Sequence, residues 1–424
     1  MKIYKYPPRE RWQEIISRPV YDPVPLREQV SSILKQIREE GDDAVKYYTL
    51  QFDQVDIQDF LIPVTMISGA VSRIKAELKN AIDIARKNIT RFHAQQKIQY
   101  DTVLTSPGIR CWLRPEPIEK IGLYIPGGSA PLISTVLMLG IPAKLAGCGE
   151  IILCTPPDHN GEIHPALLYT AGILGIDKIF RIGGVQAIGA MAYGTDSVPA
   201  VYKIYGPGNQ YVTIAKQLVA MDGIAIDFPA GPSEVAVMAD HTANPVFIAS
   251  DLLAQAEHGP DSQVLLVTDH EPLLEAVQIE VSRQLIKLPR RLLVKKSLKH
   301  SRLVLMDNLE EIIEIMNAYA PEHLIIMTKK YHEQVNLIRN AGSVFLGPYS
   351  PESAGDYASG TNHILPTNGY ARAYSGIGLD SFQKVISFQE ITKNGLRHLG
   401  PAIEQLAEAE SLLAHKNAVT VRLK

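Results

Sequence analysis

Hydrophobic positions along this chain follow two alternating periods. Between residues 117 and 231, short apolar runs at 121–125, 151–154, 178–182 and 201–205 read as strands. Stretches at 133–146, 165–174 and 211–220 carry helical spacing between them. Strand, helix and strand in repeated succession predict a parallel sheet covered on both faces, with right-handed crossovers. A second series begins at 235–238 and continues through 264–268, 303–306, 324–327 and 343–346, with long helices between its strands. The chain before Pro115 differs: 26–39 and 71–96 are helical with mixed charge and few strand signals. After Leu379 the pattern turns helical and charged, ending in a helical 401–415 and a short β-like 418–423, which predicts an arm or small helical unit. Pro- and Gly-rich joints fall at Pro115-Glu116-Pro117 and Phe228-Pro229-Ala230-Gly231-Pro232.

Composition narrows the class. A length of 424 residues, 46% of them hydrophobic and 21% charged, supports two or three folded domains and argues against disorder. The 42 Lys and Arg against 45 Asp and Glu give no basic field for nucleic acid. Cys111, Cys148 and Cys154 form no C-x-x-C pair and no disulfide framework, and the N-terminus has no apolar core of a signal peptide. The longest apolar stretch, 132–146, is broken by Gly140, Pro142 and Lys144 and is too short to span a bilayer. A cytoplasmic location without membrane attachment is the expectation.

Three glycine turns follow expected strands: Tyr124-Ile125-Pro126-Gly127-Gly128-Ser129, Gly183-Gly184-Val185-Gln186 and Tyr205-Gly206-Pro207-Gly208-Asn209. Backbone N–H groups at such turns, each opening a helix, suit a pyrophosphate. The G-x-G-x-x-G fingerprint is nonetheless absent, since Tyr211 stands where the third glycine would be. A nucleotide site and ordinary loop chemistry both remain open on the pattern alone.

Candidate acid–base and metal-binding groups are scattered. Asn244-Pro245 starts a helix and Gly259-Pro260 stops it, so Gln255 and His258, three apart, share one face near its end. They offer a cation an amide and an imidazole, or merely finish the helix. Glu322 and His323 precede a strand and can supply a base for water and a proton carrier, or form a solvated loop pair. Asp356 is either a metal-binding carboxylate or an Asx-type turn former, with His363 in the same loop; His415 near the chain end is a ligand or a helix-finishing cation. Together Gln255, His258, Asp356 and His415 make a mixed N/O set suited to Zn²⁺. Neither H-E-x-x-H nor G-x-S-x-G occurs.

These motifs, taken in order, resemble the histidinol dehydrogenase family over nearly the whole chain. They are Gly122-Leu123-Tyr124-Ile125-Pro126-Gly127-Gly128, Gly206-Pro207-Gly208-Asn209, Ala230-Gly231-Pro232-Ser233-Glu234, Gln255-Ala256-Glu257-His258-Gly259-Pro260, Pro321-Glu322-His323-Leu324, Ala354-Gly355-Asp356-Tyr357 through His363, and Ala414-His415-Lys416-Asn417-Ala418-Val419. The resemblance implies an α/β fold of two Rossmann-like units with parallel sheets lacking the usual dinucleotide fingerprint, plus small N-terminal and C-terminal helical segments. It implies a segment 1–24, a discontinuous domain 25–116 and 234–378, a second domain 117–233, and an arm 379–424 crossing to the partner of a homodimer. The implied activity is the last step of histidine biosynthesis, oxidation of L-histidinol through bound L-histidinal to L-histidine with two NAD⁺ reduced. A related zinc-dependent NAD dehydrogenase acting on another small alcohol is the alternative.

The same resemblance assigns residues. Gln255, His258, Asp356 and His415 would hold one Zn²⁺ per subunit, and Glu322 and His323 would be the acid–base pair. Tyr124, Gln186 and Asn209 fall where the family contacts NAD. Ser233, His363 and Glu410 fall at substrate-binding positions, shared with Gln255, His258, His323, Asp356 and His415.

Overall fold

The computed structural model describes residues 1–18, 24–127, 131–229 and 231–424. Gly128 and Ser129 of the first glycine turn, Ala230 of the second joint, and residues 19–23 of the N-terminal segment lie outside the described residues. Fourteen strands are described: β1 (Lys2–Lys5), β2 (Val103–Ser106), β3 (Ile109–Pro117), β4 (Lys120–Tyr124), β5 (Glu150–Cys154), β6 (Lys178–Phe180), β7 (Lys203–Tyr205), β8 (Ala225–Ile226), β9 (Glu234–Ala239), β10 (Gln263–Thr268), β11 (Arg302–Leu305), β12 (His323–Met327), β13 (Ser343–Leu346) and β14 (Gln383–Ile391). They form a five-stranded sheet ordered β6-β5-β4-β7-β8 and a six-stranded sheet ordered β1-β11-β10-β9-β12-β13. Both are parallel throughout. The α/β class and the parallel sheets expected from the alternating periods are therefore present.

Burial explains the pattern. Strands β9, β10 and β12 are buried at every position, as strands covered by helices on both faces must be. The Pro245–Ala256 and Glu271–Leu285 helices cover one face of that sheet through Ile248, Leu252, Leu274 and Val277; Ile312, Ile315 and Met316 of the Leu309–Tyr319 helix cover the other. Around the five-stranded sheet, Val30, Ile33 and Ile37 of the Val24–Glu40 helix pack with Ile188 and Met191 of the Gly184–Tyr193 helix. Among the described residues no helix is long and apolar enough to cross a membrane.

Three expectations change. The segment before Pro115 holds β2 and β3, and the chain after Leu379 holds β14; these form an antiparallel sheet ordered β14-β3-β2. Pro115 and Pro117 mask β3, because proline cannot donate to a ladder. The β2 ladder covers β3 only between Ile109 and Cys111, so both prolines fall where a single neighbour, β14, lies alongside. The stretch 418–423 is not β-like but belongs to the Leu413–Leu423 helix. Its Val419 and Leu423 pack so close to Gly400 of the Lys393–Ala409 helix that a Cβ there would lie 3.1 and 2.7 Å from their methyls. This close helix pairing overrides the β propensity of Val-Thr-Val.

Candidate functional site

Each parallel sheet contributes one edge. In the five-stranded sheet the order reverses between β4 and β7, and ligands of open α/β sheets collect beyond the strand carboxyl ends at such a point. Tyr124 ends β4, and its hydroxyl accepts a hydrogen bond from the Gly184 N–H at 3.1 Å. Gln186, in the first turn of the Gly184–Tyr193 helix that follows β6, is buried; its Nε2 donates to Asp53 at 3.1 Å while its Oε1 has no partner. Asn209 caps the Gln210–Met221 helix through the N–H groups of Tyr211 and Val212. Between them Gly206 has φ +127°, and a side chain there would collide with the Tyr124 carbonyl oxygen. Asp227 accepts from the Gly206 N–H at 2.9 Å, Lys216 donates to its carbonyl at 2.9 Å, and the two side chains pair with each other. Tyr124 and Gln186 thus meet at the turn around Gly184, and Asn209 caps the helix that opens after the glycine turn at 206–208.

The six-stranded sheet offers its opposite, amino-terminal edge. His323 is the first residue of β12 and pairs in register with Val235 of β9. His258 lies two residues beyond the Pro245–Ala256 helix, and Gln255 on its last turn. Asp356 is not in a loop but on a short Glu352–Tyr357 helix, four residues after Glu352, so the two carboxylates share a face. Gly355 lets that helix approach β13, since a Cβ would sit 2.7 Å from the Phe345 ring. One candidate ligand atom from each of His258, Glu352 and Asp356 lies within 4.8 Å of the others.

Hydrogen bonds fix the imidazoles. Nδ1 of His323 donates to the Glu234 carbonyl at 3.3 Å, leaving Nε2 as a bare lone pair, buried and without a partner, 3.6 Å from Asp356 Oδ1. Glu322 Oε2 accepts from the Glu234 N–H at 2.9 Å and lies 3.6 Å from His323 Nδ1. Nδ1 of His363 donates to the Asp356 carbonyl at 2.7 Å, and its Nε2 meets the Thr135 hydroxyl at 3.3 Å. Thr135 belongs to the Ile133–Ala146 helix that follows β4, so His363 ties the two edges together. Asn362 reinforces this by donating to the Met138 carbonyl at 2.7 Å.

Electrostatics are unbalanced. Burial pushes Asp251 and Asp356 up to about 7. Burial, then the neighbouring carboxylates, raises Glu322 and Glu352 well above the ordinary range. Burial lowers His323 to about 3 and His363 to about 4, and also depresses His258, with Arg290 adding to the last. The ion-pair partner of Glu322 and Asp356 is His323, which is neutral near pH 7, whereas Arg18 is taken by Glu234 in a two-bond pair at 2.5 and 2.9 Å. Three carboxyl groups, of Glu322, Glu352 and Asp356, lie within 4.0 Å of the neutral His323 ring and form a cluster whose charge a divalent cation would neutralise. The donor set of imidazole nitrogen, carboxylate and amide oxygen suits Zn²⁺, with Mn²⁺ or Co²⁺ as close competitors.

Not every candidate converges. Glu410 and His415 are exposed at the junction of the last two helices, and His415 is outside the His258 group. Ser233, half-buried, precedes β9 with its carbonyl bonded to the Gln263 N–H. Sequence reading missed Glu352, Asp251 and Asp53. Glu352 and Asp251 each stand four residues before a candidate ligand, Asp356 and Gln255, and that helical spacing was the available signal. Asp53 carries no such signal, as the fold brings it to Gln186 across 133 residues.

Comparison with known proteins gives one answer. A family model described as histidinol dehydrogenase matches residues 17–423. The chain is 58% identical over 423 residues to a histidinol dehydrogenase of Bacteroides thetaiotaomicron, covering 100% of this chain and 99% of that one. It is 50% identical over 417 residues to one of Yersinia pestis, covering 98% and 93%. The crystal structure of histidinol dehydrogenase from Elizabethkingia anophelis superposes with a TM-score of 0.97 at 53% identity, covering 100% of this chain and 98% of that one.

Proposed function

Given that the chain belongs to the histidinol dehydrogenase family and is an oxidoreductase of histidine biosynthesis, we propose that it uses zinc and NAD⁺ to oxidise L-histidinol through bound L-histidinal to L-histidine. The observation that carries the acid–base assignment is the orphaned Nε2 of His323: a buried imidazole lone pair with no protein partner, beside carboxyl groups. A base must be unprotonated to act, and burial holds this ring neutral.

In this reading Gln255, His258 and Asp356 hold the metal with His415, and Tyr124, Gln186 and Asn209 line the NAD crevice. When bound, zinc would anchor and polarise the substrate, and NAD⁺ would accept hydride at each oxidation. His323 takes the hydroxyl proton at Nε2 as the carbinol carbon loses hydride, leaving a bound aldehyde. Glu322 takes a proton from a water that adds to that aldehyde while His323 returns its proton to the carbonyl oxygen, and the gem-diol so formed loses its second hydride with His323, unprotonated once more, receiving the hydroxyl proton. Burial raises the pKa of Glu322, which makes its carboxylate a stronger base than an exposed glutamate. Substrate contacts fall to Ser233 and His363 beside this cluster, with Glu410 pairing the substrate imidazole by a charge-assisted hydrogen bond.

The arm supports a homodimer in which residues 379–424 cross to the partner. Glu410 and His415 are exposed, and the same helices expose Leu406, Leu412, Leu413 and Val421. A second copy would cover these apolar side chains and bring Glu410 and His415 to its pocket. The deciding experiment is stoichiometry: zinc-loaded protein given L-histidinol and excess NAD⁺ should form two NADH per L-histidine without free aldehyde. One NADH with released aldehyde, or none, would refute the proposal.

A further inference from the structure

We propose that Glu352 is a positioning residue of the cation pocket, holding the side-chain amide of Gln255 so that its oxygen, and not its nitrogen, is available to the metal. The inference rests on the zinc reading above. Gln255 is wholly buried and lies between an acceptor and a donor. With its Nε2 toward Glu352 it donates to both carboxylate oxygens, at 3.1 Å to Oε2, and its Oε1 lies 3.0 Å from the Glu234 N–H, which it shares with Glu322 Oε2 at 2.9 Å. The opposite orientation sets the amide N–H against the Glu234 N–H, a donor facing a donor, so the assignment follows from the network.

The consequence for a metal is direct. An amide oxygen has two lone pairs; Glu234 uses one and the other is free, whereas an amide nitrogen has none to give. Glu352 could itself be taken for a ligand, because its carboxylate stands within 4.8 Å of the His258 and Asp356 donors. Its surroundings place it one layer back. It is 1% exposed, both oxygens are engaged by Gln255, and it faces His323 Nδ1 at 3.9 Å. Asp356 and His258 are the more open members of the group. Partners that orient metal ligands typically change affinity about 10- to 100-fold when removed.

The test is zinc affinity of the purified full chain, measured by chelator competition without substrate, with circular dichroism confirming the fold. Glu352→Gln should weaken zinc binding about 10- to 100-fold, because a neutral amide no longer dictates which way Gln255 points. Glu352→Asp, which keeps the carboxyl group, should recover part of the loss. In a Gln255→Ala background Glu352→Gln should change affinity less than about 3-fold, since the residue through which it acts is gone. The Co²⁺-saturated Glu352→Gln protein should keep the wild-type ligand-field spectrum. Affinity within about 2-fold of wild type, an undiminished loss in the Gln255→Ala background, or an altered Co²⁺ spectrum would each overturn the inference while leaving the zinc reading intact. A wild-type protein that takes up no zinc would overturn both.

Discussion

Replacing Lys216 by Met removes one half of a pair whose side chains are 5% and 1% exposed. The ammonium bonds the Gly206 carbonyl at 2.9 Å and pairs with Asp227, while Asp227 also accepts from the Gly206 and Phe228 N–H groups, each at 2.9 Å. Met fills nearly the same volume, so the loss is electrostatic: a buried carboxylate without its cation and a carbonyl without its donor. Breaking a buried pair in this way costs about 3–5 kcal/mol. Urea unfolding at neutral pH, followed by far-UV dichroism, should show a loss of that size. Adding Asp227→Asn should recover more than half of it, since no charge is then stranded. Because both side chains clamp the turn at Gly206, KM for NAD⁺ should rise at least several-fold while zinc affinity stays at the wild-type value. A loss below about 1 kcal/mol, or a KM for NAD⁺ unchanged in a folded variant, would refute both the ledger and the role given to the turn.

Further outcomes follow from the same geometry. Glu322→Gln should lower oxidation of added L-histidinal about 100-fold or more and of L-histidinol to the aldehyde much less, measured in separate half-reactions; equal losses would contradict its role in activating water. Burial raises Asp53 to about 6 although its bond to Gln186 opposes the shift. A carboxyl that holds its proton more tightly when folded contributes stability below about pH 4, and this is lost as pH climbs through 6. Asp53→Asn should therefore match wild type at pH 4 and exceed it at pH 8 by on the order of 1–2 kcal/mol in urea titrations, after allowance for partial exposure. If arms cross, inactive His323→Ala and His415→Ala proteins should regain about a quarter of wild-type activity when co-expressed, because each hybrid dimer has one complete site. No recovery in isolated hybrids would show that each chain supplies its own His415.

The legible part of the fold was the part whose periods matched its burial. Residues 133–146 and 343–346 were bounded as the structure has them, and the expected parallel strands fell within one or two residues, while the edge strands β1 and β8 were not expected. The antiparallel sheet was not seen, although Pro107-Gly108 between β2 and β3 is a turn signal, because Pro115 and Pro117 argued against a strand that tolerates them only where pairing is one-sided. At the site, the motifs singled out His258, Asp356, Glu322 and His323 by residue type, and the fold brings them to one pocket. Glu352 was passed over because its spacing of four from Asp356 is a signal only once that stretch is known to be a helix, and the sequence read it as a loop.

By itself the sequence determined which side chains could do acid–base and metal chemistry, where a backbone turn needed glycine, and that two series of buried parallel strands would form. These follow from local covalent facts: donor type, φ preference and the spacing of apolar residues. Tertiary structure alone decided that His258, His323 and Asp356 gather at the amino-terminal edge of one sheet and that the turn at Gly206 lies at the carboxyl edge of the other. It also decided that His323 keeps a bare lone pair and that Gln255 points its oxygen one way. Those outcomes depend on burial and on partners such as Glu234 and Thr135, which lie 89 and 228 residues from the imidazoles they bond, and no local pattern encodes contacts of that range.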